Sequence, residues 1–344
     1  MTQGIIYPCR SVWIADAATV VGHEEAAGPL GEYFDLHDPK NDTFGQNTWE
    51  KAESEMQRLA VNTLLGRAGM EDKAVKALFA GDLLNQCTGS GYGLLSFGIP
   101  YFGLYGACST AAEGLALGAL TCGAYGGPIV TVSSSHNCSA ERQFRFPMEY
   151  GGQRPPSAQW TVTGTAAFPL TDDQGTIGEG APRVAEVLPG ITVDRGITDA
   201  NNMGAAMAPA ALDTLVRYFT ESGRDPASFD GIFTGDLGAE GSSLLLEFAN
   251  AKGYDLSGVH YDCGNLIYDA KAADKHAGGS GCGCSAVVLG GYLLDQFRGG
   301  KIKDILFIGT GALLSPMSVQ QGQSIPGIAH LVRITTKEWE GEKV

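Results

Sequence analysis

Leu78-Phe79-Ala80-Gly81-Asp82-Leu83 recurs in the second half of the chain as Ile232-Phe233-Thr234-Gly235-Asp236-Leu237. Each copy is an apolar, strand-like run ending in a Gly-Asp turn. Further along, Cys108-Ser109 opens an Ala/Leu-rich helical stretch reaching Gly123, and Cys284-Ser285 opens another reaching Gly299 at the same distance. Ile129-Val130-Thr131-Val132-Ser133 then aligns without a gap with Ile305-Leu306-Phe307-Ile308-Gly309. Strand, loop, helix and strand therefore occur twice in one order, the mark of an internal duplication within the layered α/β class. The halves divide near residues 170–200, into an N-terminal half 1–175 with an inserted loop region and a C-terminal half 176–344.

Two helices follow from periodicity. The first begins near Asn47 with Glu50 at the capping-box position, sets Ala52, Met56, Leu59, Ala60 and Thr63 on one face, and closes at Gly69. The second runs from about 207 to 221, with Leu212, Leu215, Val216 and Phe219 as its stripe, Pro209 in its first turn and Gly223 at its end. The 344 residues are 44% hydrophobic, enough for one large core or two intimately packed ones. The 49 glycines are about twice the usual ~7% and show no period, so tight turns and close backbone contacts explain them.

A formal charge of −15 argues against electrostatic nucleic-acid binding. No apolar run approaches the ~20 residues of a bilayer span. The start, MTQGIIYPCRSVWI, lacks the basic-then-apolar pattern of a secretory signal. The eight cysteines are therefore expected as free thiols of a reducing compartment.

The sharpest local feature is Gly106-Ala107-Cys108-Ser109-Thr110, whose small residues allow a tight strand-to-helix turn, the geometry of a nucleophile elbow. Cys108 reads as a nucleophile with a dipole-stabilised thiolate, or as a small buried packing residue. His276, in His276-Ala277-Gly278-Gly279-Ser280-Gly281, reads as its partner from the opposite half or as a surface-loop residue. Cys282 and Cys284 have no second pair at zinc-like spacing, and the glycines 278–283 match no phosphate-loop or dinucleotide fingerprint. Ser133-Ser134-Ser135-His136-Asn137-Cys138 ends a strand, where open α/β sheets present ligand sites. Downstream, Arg142 and Arg145 read as carboxylate binders or as surface partners of Glu141 and Glu149.

The duplicated halves and the GACST elbow together resemble the thiolase superfamily, and 276–281 is similar to its His-Pro-x-Gly-x-Ser-Gly loop, one residue shorter and without the Pro. An ordered motif set resembles one branch more closely, the stage V sporulation protein AD (SpoVAD) family: AGDLLNQ (80–86), GACST (106–110), SSSHN (133–137), AERQFR (140–145), EYGGQ (149–153), TVTG (161–164), GITD (196–199), MAPAA (207–211), TGDLG (234–238), the Asp-Cys-Gly to Ile-Tyr-Asp stretch (262–269), AGGSGCGCSAVV (277–288) and GTGALLSP (309–316). They extend from about residue 28 to 330. The resemblance implies a five-layered αβαβα fold of two pseudo-equivalent halves, usually homodimeric. It further implies a sporulation and germination protein that binds dipicolinic acid, alone or with calcium, and needs no other cofactor. Such a protein acts with membrane-embedded partners of the same operon in moving dipicolinate into and out of the spore core, and is held by them at the inner spore membrane.

Departures from the superfamily bear on catalysis. Biosynthetic thiolases carry a second catalytic Cys in a Cys-x-Gly-Gly-Gly motif, whereas Phe307 stands at that place in Phe307-Ile308-Gly309-Thr310-Gly311. Ketoacyl synthases need a further His near the second-half Asp-Cys-Gly region, and neither His260 nor Cys263 sits in such a motif. Loss of a proton-transfer group typically forfeits ~10²–10⁴ in rate. One reading is thus a relic thiolase pocket that binds its ligand through Asp82, Asn85, Cys108, Ser135, His136, Arg142, His276 and Thr310. Asp82 reads as an oxygen ligand to the calcium of a chelate or as a turn-capping carboxylate, since Asp236 repeats it. The alternative is an acyl-CoA-dependent acyltransferase with Cys108 as nucleophile and His276 as its partner.

Overall fold

The computed structural model describes residues 4–144, 154–269, 271–272 and 274–338. In chain order its strands are β1 (Val12–Ile14), β2 (Ala18–Val21), β3 (Leu36–His37), β4 (Ala77–Gly81), β5 (Tyr101–Leu104), β6 (Ile129–Ser135), β7 (Trp160–Thr161), β8 (Gly164–Thr171), β9 (Arg183–Leu188), β10 (Gly231–Thr234), β11 (His260–Asp262), β12 (Gly279–Ser280), β13 (Asp304–Ala312) and β14 (Gly327–Thr335). The helices are α1 (His23–Ala26), α2 (Trp49–Ala68), α3 (Thr88–Gly93), α4 (Thr110–Tyr125), α5 (Asn137–Phe144), α6 (Met203–Ser222), α7 (Gly238–Ala251), α8 (Cys263–Ile267), α9 (Cys282–Val287), α10 (Leu294–Arg298) and α11 (Pro316–Gln320).

β5, β4 and β6 run parallel, β8 returns antiparallel to β6, and β1 and β2 pair antiparallel with β8. The second half repeats the plan: β11, β10 and β13 run parallel, β14 returns antiparallel, and β9 pairs antiparallel with β14. The registers coincide as well. Leu78 pairs with Val130 and Tyr101, and its repeat Ile232 pairs with Leu306 and His260. β1 joins β9 through Val12–Val184 and Trp13–Arg183, so both units share one twelve-stranded hydrogen-bonded sheet.

Alternation along the strands sorts side chains into three cores. Leu78 and Ala80 of β4 pack with Met56, Ala60 and Leu64 of α2, whereas Ala77 and Phe79 face a central core. Ile305 and Phe307 of β13 face the same central core, and Leu306 and Ile308 pack with Leu215 and Phe219 of α6. Leu115 and Ala119 of α4, with Val287, Val288 and Leu294, fill the centre. The order is α2, the β5–β4–β6–β8 part of the sheet, α4 with the helix at 282–298, the β11–β10–β13–β14 part of the sheet, and α6: the five layers that the resemblance implies.

The helix ends differ from the periodic reading for local reasons. α2 starts at Trp49 because Thr48 is the cap, its Oγ1 accepting the Lys51 N–H at 3.3 Å. α6 starts at Met203, about one turn before the expected start near 207, where the Asn202 side chain accepts the Ala205 N–H at 3.2 Å; Pro209 lies inside the helix. The counterpart of α4 starts at Cys282 rather than Cys284, passes through a π-helical turn at Val288–Leu293 and ends at Gly299. All eight cysteines are free thiols. Among the described residues no helix is long and apolar enough to cross a membrane.

β13 touches the elbow at Gly309, where an added Cβ would stand 2.7 Å from the Ala112 Cβ and 2.8 Å from the Ser109 carbonyl oxygen. Gly66, exposed on α2, has nothing within 4 Å of an added Cβ. Gly309→Ala is expected to lose about 1–3 kcal/mol by overpacking, and Gly66→Ala to gain about 0.5–1 kcal/mol by helix propensity. Urea unfolding of the two variants checks this pair, and equal midpoints would contradict the close approach.

Candidate functional site

A cavity of about 320 Å³ opens onto the elbow. Leu83, Asn85, Cys108, Glu141 and Phe144 of the first half line it with Met203, Ser280 and Leu314 of the second. Ala107 takes φ 51°, a left-handed conformation that costs a non-glycine residue about 1–3 kcal/mol. The turn is fixed locally: Ser109 Oγ donates to the Gly106 carbonyl at 2.6 Å and Thr110 Oγ1 to the Ala107 carbonyl at 2.7 Å. Cys108 is thereby held at the head of α4, one face on the cavity.

The side chain that hydrogen-bonds the Cys108 thiol is Asp236, in the turn after β10. Asp236 Oδ1 accepts from Thr310 Oγ1 at 2.8 Å, and Oδ2 accepts from the Gly281 N–H at 2.8 Å and Ser280 Oγ at 3.3 Å. Its own N–H donates back to Thr310 Oγ1 at 3.0 Å. Burial outweighs these donors and raises the carboxyl to about 6. Burial first, then the Asp236 charge, pushes the Cys108 thiol well above its ordinary range. The positive end of α4 does not overcome them. Next to Asp236, Asp262 accepts from Thr234 Oγ1 at 2.6 Å and from the N–H groups of Leu237 and Gly238 at 2.8 and 2.9 Å, and burial raises it to about 7.

Of the residues expected from sequence, Asn85 and Cys108 line the cavity, and Thr310 stands behind it as the support of Asp236. The expected pairing of His276 with Cys108 is corrected. His276 is exposed and does not line the cavity, because the neighbouring Lys275 anchors the loop by an ion pair to Glu24 and by packing 5.1 and 4.9 Å from the ring centroids of Trp160 and Tyr268. Asp82 closes its own turn, accepting from the Leu84 N–H at 2.9 Å, the Ser90 N–H at 2.7 Å and Ser90 Oγ at 2.6 Å. Those bonds correct the expectation of a calcium ligand.

Ser135 clamps the two halves instead of lining the cavity: its Oγ donates to the Val162 carbonyl at 2.7 Å and accepts the Gly283 N–H at 3.2 Å. A Cβ on Gly281, at φ 102°, would stand 2.6 Å from that hydroxyl, which explains one glycine of the run. His136 is buried elsewhere, with Nδ1 accepting the Cys138 N–H and Nε2 donating to the Asp42 carbonyl at 2.8 Å; burial lowers its pKa. Arg142 pairs with Glu50 at the surface, and Glu141 pairs with Arg154 at 3.1 Å. Arg145 and Glu149 lie outside the described residues. His260 bonds Thr234 Oγ1 at 3.0 Å, and burial lowers it to about 4. Sequence reasoning missed Asp236 as the partner of Cys108; the duplicated Gly-Asp turn was the signal available.

The family model for stage V sporulation protein AD matches residues 5–335. The stage V sporulation protein AD of Bacillus subtilis (strain 168) is 40% identical over 321 residues, 93% of this chain and 93% of that protein. A variant of OleA from Xanthomonas campestris superposes with a TM-score of 0.58 at 15% identity, covering 95% of this chain and 98% of that one. FabH from Xanthomonas oryzae pv. oryzae, a 3-oxoacyl-(acyl carrier protein) synthase III, superposes with a TM-score of 0.54 at 15% identity, covering 94% and 99%. At that identity the two structures establish the fold, which is the thiolase type.

A thiol held neutral beside a carboxylate should alkylate slowly. Iodoacetamide at neutral pH is expected to modify exposed Cys9 first and Cys108 slowly. Asp236→Asn, which removes the like charge, should speed Cys108 labelling by about tenfold or more. Peptide mass mapping over time checks this, and an unchanged or slower Cys108 rate in the variant would contradict the role given to Asp236.

Proposed function

The chain belongs to the stage V sporulation protein AD family, and from that premise we propose that its elbow cavity binds dipicolinic acid, alone or as its calcium chelate, without acyl transfer. One observation carries the reading: the elbow thiol is paired with a carboxylate. Acyl transfer needs a thiolate and a group that moves its proton. A carboxylate at this place opposes the thiolate and takes up the S–H of a neutral thiol. The volume of about 320 Å³ lies at the low end for small-molecule sites, which suits one aromatic ring.

Recognition rests on apolar walls and neutral donors. Leu83, Phe144, Met203 and Leu314 offer surfaces for the ring faces, and Asn85, Asn201 and Ser280 offer polar groups for its carboxylates. Tyr105 donates to Asn85 Oδ1 at 3.2 Å, which orients the amide N–H groups away from that bond. Among the described residues lining the cavity none is basic, and Glu141 is the charged one. The formally neutral calcium chelate therefore suits the site at neutral pH, and the free dianion suits it when Asp236 is protonated. In this reading the protein supports dipicolinate movement into and out of the spore core as a homodimer, with membrane-embedded partners of its operon holding it at the inner spore membrane.

The sign of the pH effect follows from Asp236. Above about pH 6 its carboxyl is ionised and repels a dianion; below that it is neutral. Calorimetry should therefore find free dipicolinate binding more tightly at about pH 5.5 than at about pH 7.5, with the difference reduced in Asp236→Asn and in the presence of calcium. Absence of binding heat under every condition would sink the proposal. Intact mass after incubation with acyl-CoA should show no adduct on Cys108; an adduct absent from Cys108→Ala would favour the acyltransferase reading.

A further inference from the structure

Asp304, the first residue of β13, lies at the far end of that strand from the elbow, and nine residues of strand span roughly 30 Å. A second cavity of about 350 Å³ opens at that end, and Arg183, Arg224, Arg333 and Lys337 line it with Glu186 and Asp304. The acids lock the bases in place. Arg333 donates Nε and Nη2 to the two Asp304 oxygens at 2.8 and 2.7 Å, and Nη1 to Glu186 Oε1 at 2.7 Å. Arg224 Nη1 reaches both Glu186 oxygens at 2.7 and 2.8 Å and the Tyr218 hydroxyl at 3.0 Å. Lys337 Nζ stands 3.1 Å from Asp304 Oδ2.

Counting Glu338 at the rim, four cations meet three carboxylates among the described lining residues, in a chain whose formal charge is −15. Glu186 and Asp304 are almost fully buried and already accept two or more bonds each, so they position the bases without neutralising all of them. Arg224 uses only Nη1 in the bonds above and keeps Nε and Nη2, and Lys337 keeps further N–H groups. A guanidinium edge beside an ammonium matches several oxygens of one tetrahedral anion. The Arg183 guanidinium holds its proton less firmly than usual, because of its burial first and then the charge of Arg333 beside it.

We propose that this cavity is a binding site for a phosphate group, free or carried by a lipid headgroup, with Arg224 and Lys337 as the contacting residues and Arg183 and Arg333 setting the local potential. The site is independent of the elbow cavity.

Calorimetric titration of the full chain with inorganic phosphate tests the proposal, with sodium chloride at matched ionic strength as the control. Arg224→Gln and Lys337→Gln, singly and together, are the variants. Both side chains are partly exposed, and Arg333 still holds Glu186 and Asp304 in their absence, so the unliganded melting temperature should be nearly unchanged. Saturable binding is expected in the parent chain, with about tenfold or greater weakening in Arg224→Gln, the loss typical of a charge-assisted hydrogen bond. Cys108→Ala should bind phosphate as the parent does. Co-sedimentation with phosphatidylglycerol vesicles, against phosphatidylcholine alone, distinguishes the sources. Sedimentation that phosphate competes away and the double variant loses identifies a headgroup, and phosphate binding without sedimentation identifies a small phosphate. No saturable binding, heat that chloride reproduces, or unchanged affinity in the double variant overturns the proposal.

Discussion

Three segments distant in sequence meet at the Asp236 carboxylate: the elbow through the Cys108 thiol, the 280–281 stretch through Ser280 and the Gly281 N–H, and β13 through Thr310. Each supplies a donor that would otherwise stand buried and unpaired, at about 1–3 kcal/mol apiece. The carboxylate therefore fixes how β13 and the 280–281 stretch sit against the elbow. It does so at an electrostatic penalty. A carboxyl raised from 3.8 to about 6 is worth about 3 kcal/mol against the folded state at neutral pH, recovered as the pH falls through about 6 toward 4. A group retained under that penalty fits a site that needs it better than a core that merely tolerates it.

The duplication explains why this carboxylate is available. Asp82 and Asp236 occupy the same turn after equivalent strands, and the register of β4 with β6 matches that of β10 with β13 residue for residue. In the first half Ser90 of α3 lies over the turn and takes up Asp82 Oδ2, while the Leu84 N–H takes up Oδ1. Behind it Glu53, raised to about 8 by burial and by Asp82, completes a closed polar cluster with Ser134 and Ser139. In the second half the equivalent turn faces the elbow. The cysteines diverge in the same way: Cys108 reaches the cavity, whereas Cys284 is buried within α9. One half contributes a thiol and the other a carboxylate, so the two pseudo-equivalent positions make one site.

What was legible in the sequence was what local pattern controls. The repeated apolar run with its Gly-Asp turn identified equivalent strands, Gly69 and Gly223 marked real helix ends, and the small residues around Cys108 marked a real elbow. Asn85 followed because it lies next to that turn. The rest depends on which of several locally similar groups packing brings inward. Two Gly-Asp turns look alike in sequence, and only α3 over the first distinguishes them. The loop at 276–281 carries a histidine in a thiolase-like context, yet Lys275, between Trp160 and Tyr268 and paired with Glu24, decides which side of that loop is buried. His136 sits at a strand end where ligand groups are common, and a backbone carbonyl of Asp42, far away in sequence, takes it up.

The formal charge of −15 also needs rereading in the folded molecule. It counts every acid as ionised, but burial raises Glu53 to about 8, Glu25 and Asp262 to about 7, and Asp236 to about 6. The interior therefore takes up protons across mildly acidic and neutral pH, and the potential at the elbow becomes less negative as it does. Asp262, in Coulombic contact with Asp236, moves the same way. For an anionic ligand, the field at the elbow is set by these few buried carboxyls rather than by the exposed acids, whose charge solvent and salt screen. Anion affinity at this site is thus governed by burial, and the strongly acidic composition is no obstacle to it.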